Sequence, residues 1–158
     1  LFTQFNDQPD VWLKALLFLK SNSRTSLNDF LNIALERFPN NYEFINLSAR
    51  NYYELGNFEL SVAQIEKIPP SKMRSITFQL AGLSYQKIDE HQKAIESYQN
   101  ILIDAPLRGD INMAIGISYE KLKQTENAAK YFSIALNDTT LNIIQREFIK
   151  QRLVAYQG

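Results

Sequence analysis

Of the side chains able to do acid–base or nucleophilic work, this chain offers few, and their spacing decides what they are for. It has one histidine and no cysteine in 158 residues. Thiolate metal sites, disulfides and cysteine nucleophiles are therefore excluded, and so are multi-histidine metal centres. His91 is the single candidate for imidazole chemistry, with Asp89 and Glu90 beside it. An acid pair ahead of an apolar periodic stretch reads as a solvated helix start, and no Ser or paired carboxylate is spaced to work with the imidazole. His91 is expected to be an exposed turn residue. Phosphate-loop, dinucleotide, HExxH and EF-hand patterns are absent. Asn46–Leu47–Ser48 and Asn137–Asp138–Thr139 fit the glycosylation triplet, a pattern too common to weigh. The expectation is a non-enzyme with no cofactor and no metal.

Charge narrows the partners. Lys plus Arg and Asp plus Glu both number 17, giving a formal net charge of zero. Proteins that wrap nucleic acid or lie on anionic membranes need a positive excess, and no basic residue recurs on one face as a base-reading helical repeat would require. Nucleic acid is not an expected partner. The longest mostly apolar run, Val11 to Leu19, is interrupted by Lys14 and falls short of the roughly 20 residues of a spanning helix, so no membrane contact is expected from it. The chain starts at Leu1 without a leader-like segment, and reads as a piece of a longer protein.

What positions these residues is a repeat. The segment from Phe78 to Leu102 overlays the segment from Asn112 to Leu136 at an offset of 34, matching Gly82 with Gly116, Tyr85 with Tyr119, Ala94 with Ala128 and Tyr98 with Phe132. An offset of 33 adds Ala49, Tyr52, Ser61 and Ile65. A weaker copy lies 34 residues earlier, with Ala15, Phe18, Leu27, Leu31 and Ala34. Within each copy the apolar residues step at helical spacing on two faces separated by a short polar break, which predicts antiparallel helix pairs. Gly56 suits a left-handed turn, Pro69 and Pro70 end a helix early, and Ser71 is the expected cap of the next. Gly82 and Gly116 stand mid-helix, where Gly costs about 0.5–1 kcal/mol relative to Ala. A small residue there is expected to let Tyr98 or Phe132 pack across the gap. A last helix, 141–156, is expected to cap the stack, with Asp138, Thr139 or Thr140 at its start. Leu141, Ile144, Phe148 and Ile149 should turn inward, and Arg146, Lys150 and Arg152 outward.

A 34-residue helical pair with a small residue and Tyr on its first helix, then Ala, an aromatic, Ala–Leu and Pro on its second, resembles the tetratricopeptide repeat (TPR). Gly82, Tyr85, Ala94, Tyr98, Ile101–Leu102 and Pro106 carry it in the third copy; Gly116, Tyr119, Ala128, Phe132 and Ala135–Leu136 carry it in the fourth. The resemblance implies an all-α, right-handed helical solenoid of about four helix pairs plus a C-terminal capping helix. The chain would form a single domain, 1–158, with repeats at approximately 8–41, 42–74, 75–108 and 109–140.

The first helix of each pair then lines a concave groove. Repeat phase places there Trp12 and Leu16, then Asn46, Arg50 and Tyr53, then Gln79, Leu83 and Gln86, then Met113, Ile117 and Glu120. The expected partner is a protein or peptide, with self-association as a rival. Ile76 and Leu80 stand where a carboxylate-clamping TPR needs later basic residues, so a hydrophobic or helical ligand is favoured over a charged tail. The stretch from Arg146 to Leu153 is similar to the C-terminal region of MSHA-type pilus biogenesis proteins. That implies a role in assembling a type IV pilus at the periplasmic face of the inner membrane. The alternatives are a cytoplasmic TPR adaptor, a co-chaperone of another secretion or envelope assembly system, or a self-associating structural module.

Overall fold

The computed structural model describes residues 8–22 and 24–156; the two ends of the expected 1–158 domain and residue 23 of its first repeat lie outside the described residues. Among the described residues there are nine α-helices and no strand. They fall into two compact units that divide between Met73 and Arg74. The first holds α1 (Pro9–Asn22), α2 (Arg24–Arg37), α3 (Tyr42–Glu54) and α4 (Phe58–Ile65). The second holds α5 (Ser75–Lys87), α6 (His91–Leu102), α7 (Gly109–Lys121), α8 (Thr125–Ala135) and α9 (Ile143–Ala155). Within each unit successive helices pack on one another. No described helix is long and apolar enough to cross a membrane.

The first unit is built on an aromatic cluster. Trp12 packs on Phe30 at 4.9 Å between ring centroids and meets Phe38 edge-on at 5.9 Å. Phe38 in turn meets Phe44 at 5.7 Å. Leu16, Leu27, Leu31 and Ala34 complete this core. Trp12 and Leu16 are therefore core residues at 2% and 1% exposure, not groove residues. The reason is register. α1 starts 33 residues before α3, so Trp12 and Leu16 correspond to the buried Ile45 and Ala49, and the half-buried Leu13 and exposed Leu17 correspond to Asn46 and Arg50. Phe18, placed by the sequence beside Tyr52, is 68% exposed.

Three of the pairs, α3–α4, α5–α6 and α7–α8, turn back in the same way. Gly56, Asp89 and Lys123 occupy the left-handed region at φ 80°, 60° and 60°. In all three turns the next residue's N–H donates to the carbonyl of the repeat tyrosine: Asn57 to Tyr52, Glu90 to Tyr85 and Gln124 to Tyr119, each at 2.9 Å. This six-to-one bond closes the orphan carbonyls of the helix end. Only the first turn uses Gly, so Asp89 and Lys123 hold a conformation that costs an L-residue about 1–2 kcal/mol.

Two expected caps are replaced. Ser71 lies in a short 3-10 turn, Pro70–Lys72, and α5 starts after Arg74; Lys72 and Met73 donate to the carbonyls of Pro69 and Pro70, which fixes Ser71 inside that turn. α9 is capped by Asn142 in place of Asp138 or the threonines. Its side chain accepts from Gln145 N at 2.9 Å while Gln145 Oε1 accepts from Asn142 N at 3.0 Å, a reciprocal capping box.

The mid-helix glycines behave as their spacing implies. A methyl group on Gly82 would stand 2.5 Å from Tyr98 Cζ, and one on Gly116 would stand 2.7 Å from two ring atoms of Phe132. In these two pairs, α5–α6 and α7–α8, the helices approach to the limit set by hydrogen. Gly82→Leu or Gly116→Leu is expected to destabilise by about 3 kcal/mol through overpacking, read as a lowered urea midpoint. By contrast, Lys123→Gly should raise stability by about 1 kcal/mol by relieving the left-handed strain; an unchanged midpoint would count against that turn geometry.

Candidate functional site

With Trp12 and Leu16 in the core, the other nine residues expected on the groove fall in two sets: Asn46, Arg50 and Tyr53 on α3 of the first unit, and six on α5 and α7 of the second. On α3, Asn46 donates to its own helix at Tyr42 O, 2.9 Å. Arg50 is exposed and sits 3.4 Å from Glu54 one turn on. Tyr53 is half-buried, its ring edge-on to Phe58 at 5.3 Å.

In the second unit all six are half-buried, and the polar ones are engaged in holding neighbouring repeats together. Gln86 Nε2 donates to Ala114 O at 2.9 Å and Ser118 Oγ at 2.8 Å, while its Oε1 accepts from Tyr98 OH at 3.0 Å. Gln79 Oε1 accepts from Arg108 at 3.4 Å, and the same guanidinium makes a two-pronged bond to Asp110. That carboxylate raises the Arg108 pKa. Glu120 lies 3.3 Å from Arg152. Beside it is the Tyr156 phenol, which burial and the Glu120 carboxylate push up to about 12. Met113 and Ile117 pack against the cluster of Ala128, Phe132, Ala135, Leu141 and Ile149. What this face leaves accessible is a partly exposed apolar strip: Leu83, Met113 and Ile117.

His91 is not the exposed turn residue anticipated. It is the first residue of α6 and is 8% exposed, because the helix begins at His91 itself and carries the ring against the body of the unit. Nε2 lies 3.5 Å from Asp89 Oδ1, and Nδ1 is buried without a hydrogen-bond partner. Among the described residues no three His, Asp or Glu gather into a metal-binding cluster.

The last helix differs most from expectation. Ile149 and Leu141 are buried and Phe148 packs inward, but Ile144 is 78% exposed. Arg146 is turned in rather than out: it donates to the carbonyls of Leu141 and Leu136, both at 3.2 Å, and to that of Asp138. Arg152 is exposed, as expected, with its guanidinium over the Phe148 ring, 5.1 Å from the centroid. These contacts arise because α9 starts 34 residues after α7 and repeats its geometry. In α7 the position equivalent to Arg146 is Asn112, which likewise donates to preceding loop carbonyls, Pro106 O and Arg108 O. α9 is thus a fifth first-helix, and Glu147, Gln151 and Val154 extend the rows begun by Gln79, Leu83 and Gln86. The same period that revealed the other repeats would have revealed this one. A shallow pocket of about 350 Å³ opens there among Ile143, Ile144, Glu147, Phe148 and Gln151.

Asp138, in the loop before α9, ties that loop to α7. Its carboxylate accepts from Gly109 N at 2.7 Å, Thr140 N at 2.8 Å and Thr140 Oγ1 at 2.7 Å. The backbone N–H groups hold its pKa below the ordinary value. Gly109 has no room for a side chain: a methyl would stand 2.6 Å from Asp138 Cβ and 2.9 Å from Ala135 O.

No family model matches the chain, and no curated protein matches it. Solved structures do. A MamA structure from Desulfovibrio magneticus RS-1 superimposes with a TM-score of 0.84 at 14% identity, covering 96% of this chain and 87% of that one. MamA from AMB-1 gives 0.74 at 21% identity, with 82% and 78% covered. Cut9, solved in the APC/C hetero-tetramer Cut9-Hcn1, gives 0.75 at 14% identity over 94% of this chain, which spans only 30% of Cut9. The fold is a TPR-like helical repeat.

Asp138 gives the site a pH signature. Its folded pKa is depressed, so its contribution is complete above the unfolded carboxylate value and is lost as pH falls through the folded one. Asp138→Asn should flatten the acid limb of melting temperature against pH below the ordinary carboxylate value, converging with the wild type at the acid end. Parallel acid limbs would show that the carboxylate does not clasp α7.

Proposed function

We propose that the chain is a non-catalytic protein-interaction module that receives an apolar or helical segment of a protein partner along its first-helix faces. The observation that supports this is the strip of Leu83, Met113 and Ile117. Leu83 and Ile117 hold the same repeat position and Met113 lies one turn before Ile117; all three stay half-exposed and are surrounded by polar groups already committed to one another. A face whose hydrogen-bonding groups are satisfied internally recognises by shape and apolar contact rather than by charge. The hetero-tetramer of Cut9 with Hcn1 offers a protein-binding precedent on the same fold.

A pilus-assembly role rests on the resemblance of the stretch from Arg146 to Leu153. In the structure those residues also have a local task, since Arg146, Phe148 and Leu153 secure α9. The adaptor and self-association alternatives share the same surface and differ in what is captured.

A photo-crosslinking residue placed at Arg50, Leu83 or Ile117, with Glu96 and Lys130 as controls on second helices, tests the reading in source cells. Adducts from the first three positions and none from the controls are expected. A pilus component in those adducts would favour the pilus role, and a chaperone the adaptor role. Adducts confined to Glu96 and Lys130 would overturn the groove assignment.

A further inference from the structure

Apart from the groove, we infer that the loop between α6 and α7 is a strap kept open by the Cβ of Ser75 and by Pro106, and that the loop between α8 and α9 is its closed form. The two loops match at the offset of 34: Asp104 with Asp138, Pro106 with Thr140 and Leu107 with Leu141. Ser75, the first residue of α5, matches Gly109, the first residue of α7. The carboxylate follows that residue by 29 positions in both copies. Their states are opposite. Leu141 is 6% exposed and Leu107 is 61% exposed. Asp138 is bonded to Gly109 and Thr140, whereas Asp104 is exposed and has no hydrogen-bond or ion-pair partner among the described residues. The open loop is internal, joining two helices that pack on each other.

Two residues account for the difference. In the closed copy a methyl on Gly109 would stand 2.6 Å from Asp138 Cβ and 2.9 Å from Leu141 Cγ. The carboxylate and the leucine therefore close into the space that a side chain would fill. Ser75 fills it, so Asp104 and Leu107 cannot take up the matching positions. Donors differ as well. Asp138 accepts from the N–H and the hydroxyl of Thr140, and Pro106 has neither group to offer Asp104. An exposed leucine forgoes the burial that its counterpart gains, so the open position is imposed by these neighbours. It leaves an apolar side chain and an uncommitted carboxylate at the surface, the same two groups that the closed strap spends on holding α9 to α7.

Because the chain has no cysteine, single thiols report each loop in the full chain. Iodoacetamide should label Leu107→Cys at the rate of an exposed thiol, and Leu141→Cys at least ~10-fold more slowly, since labelling follows the open population. Ser75→Gly with Pro106→Thr, added to Leu107→Cys, should close the strap and slow labelling ~10-fold or more. Asp104→Ala on that background should restore the fast rate. In the other direction, Gly109→Ala should speed the labelling of Leu141→Cys while circular dichroism stays unchanged. Leu107→Cys that labels equally fast with and without Ser75→Gly and Pro106→Thr would overturn the proposal. That arm stands even where Gly109→Ala fails to fold, because it removes bulk at an exposed helix start. Protection that survives Asp104→Ala would also overturn it, since the carboxylate would then not be what closes the strap.

Discussion

The close approach of an aromatic ring to a bare helix backbone is the contact on which the second unit depends. Tyr98 lies over Gly82 and Phe132 over Gly116, at distances that exclude a methyl group. Once the rings are seated there, their remaining atoms determine what the next repeat can do. The Tyr98 hydroxyl donates to Gln86, and Gln86 spans to Ala114 and Ser118 on α7. A glycine on α5 thereby orients a glutamine whose partners are about thirty residues away in sequence. Phe132 has no hydroxyl and hands on its position differently: it meets Phe148 edge-on at 6.0 Å and stacks on Tyr156 at 6.4 Å. The fourth copy thus holds α9 by rings where the third holds α7 by hydrogen bonds.

Helix ends impose the second constraint, since every pair leaves orphan backbone groups near the core. The carbonyls of Tyr52, Tyr85 and Tyr119 are closed by the turn itself. Loop carbonyls farther on are closed by side chains from the following first-helix, Asn112 in one case and Arg146 in the next. The Gly109 N–H is closed in the opposite direction, by Asp138 from a loop 29 residues later. Polar residues that a surface view would assign to ligand binding are consumed by this work, which is why the accessible part of the α5 and α7 face is apolar.

Much of the architecture was legible because its causes are local and periodic. Helical spacing, the glycine–aromatic match and the Pro69–Pro70 break each need only neighbouring residues, and they lead to the TPR-like repeat that the structure has. The misplacements share a different character. Trp12 and Leu16 were assigned one residue out of register because the degenerate first copy lacks the turn glycine that would have fixed its phase. Apolar spacing within α9 alone turns Ile144 inward and Arg146 outward; only the repeat register with α7, which the structure supplies, puts Arg146 on the loop carbonyls and Ile144 in solvent.

The sequence by itself determined the period, the pairing of helices and the small-residue positions, since these follow from side-chain volume and the 3.6-residue turn. Tertiary structure alone decided which polar groups remain available. Gln79, Gln86, Asp138 and Arg146 find partners on other helices or in other loops, and His91 is buried by where its helix begins. Hydrogen bonds between residues of adjacent repeats leave no mark on local spacing, because either partner alone looks like an ordinary solvated side chain.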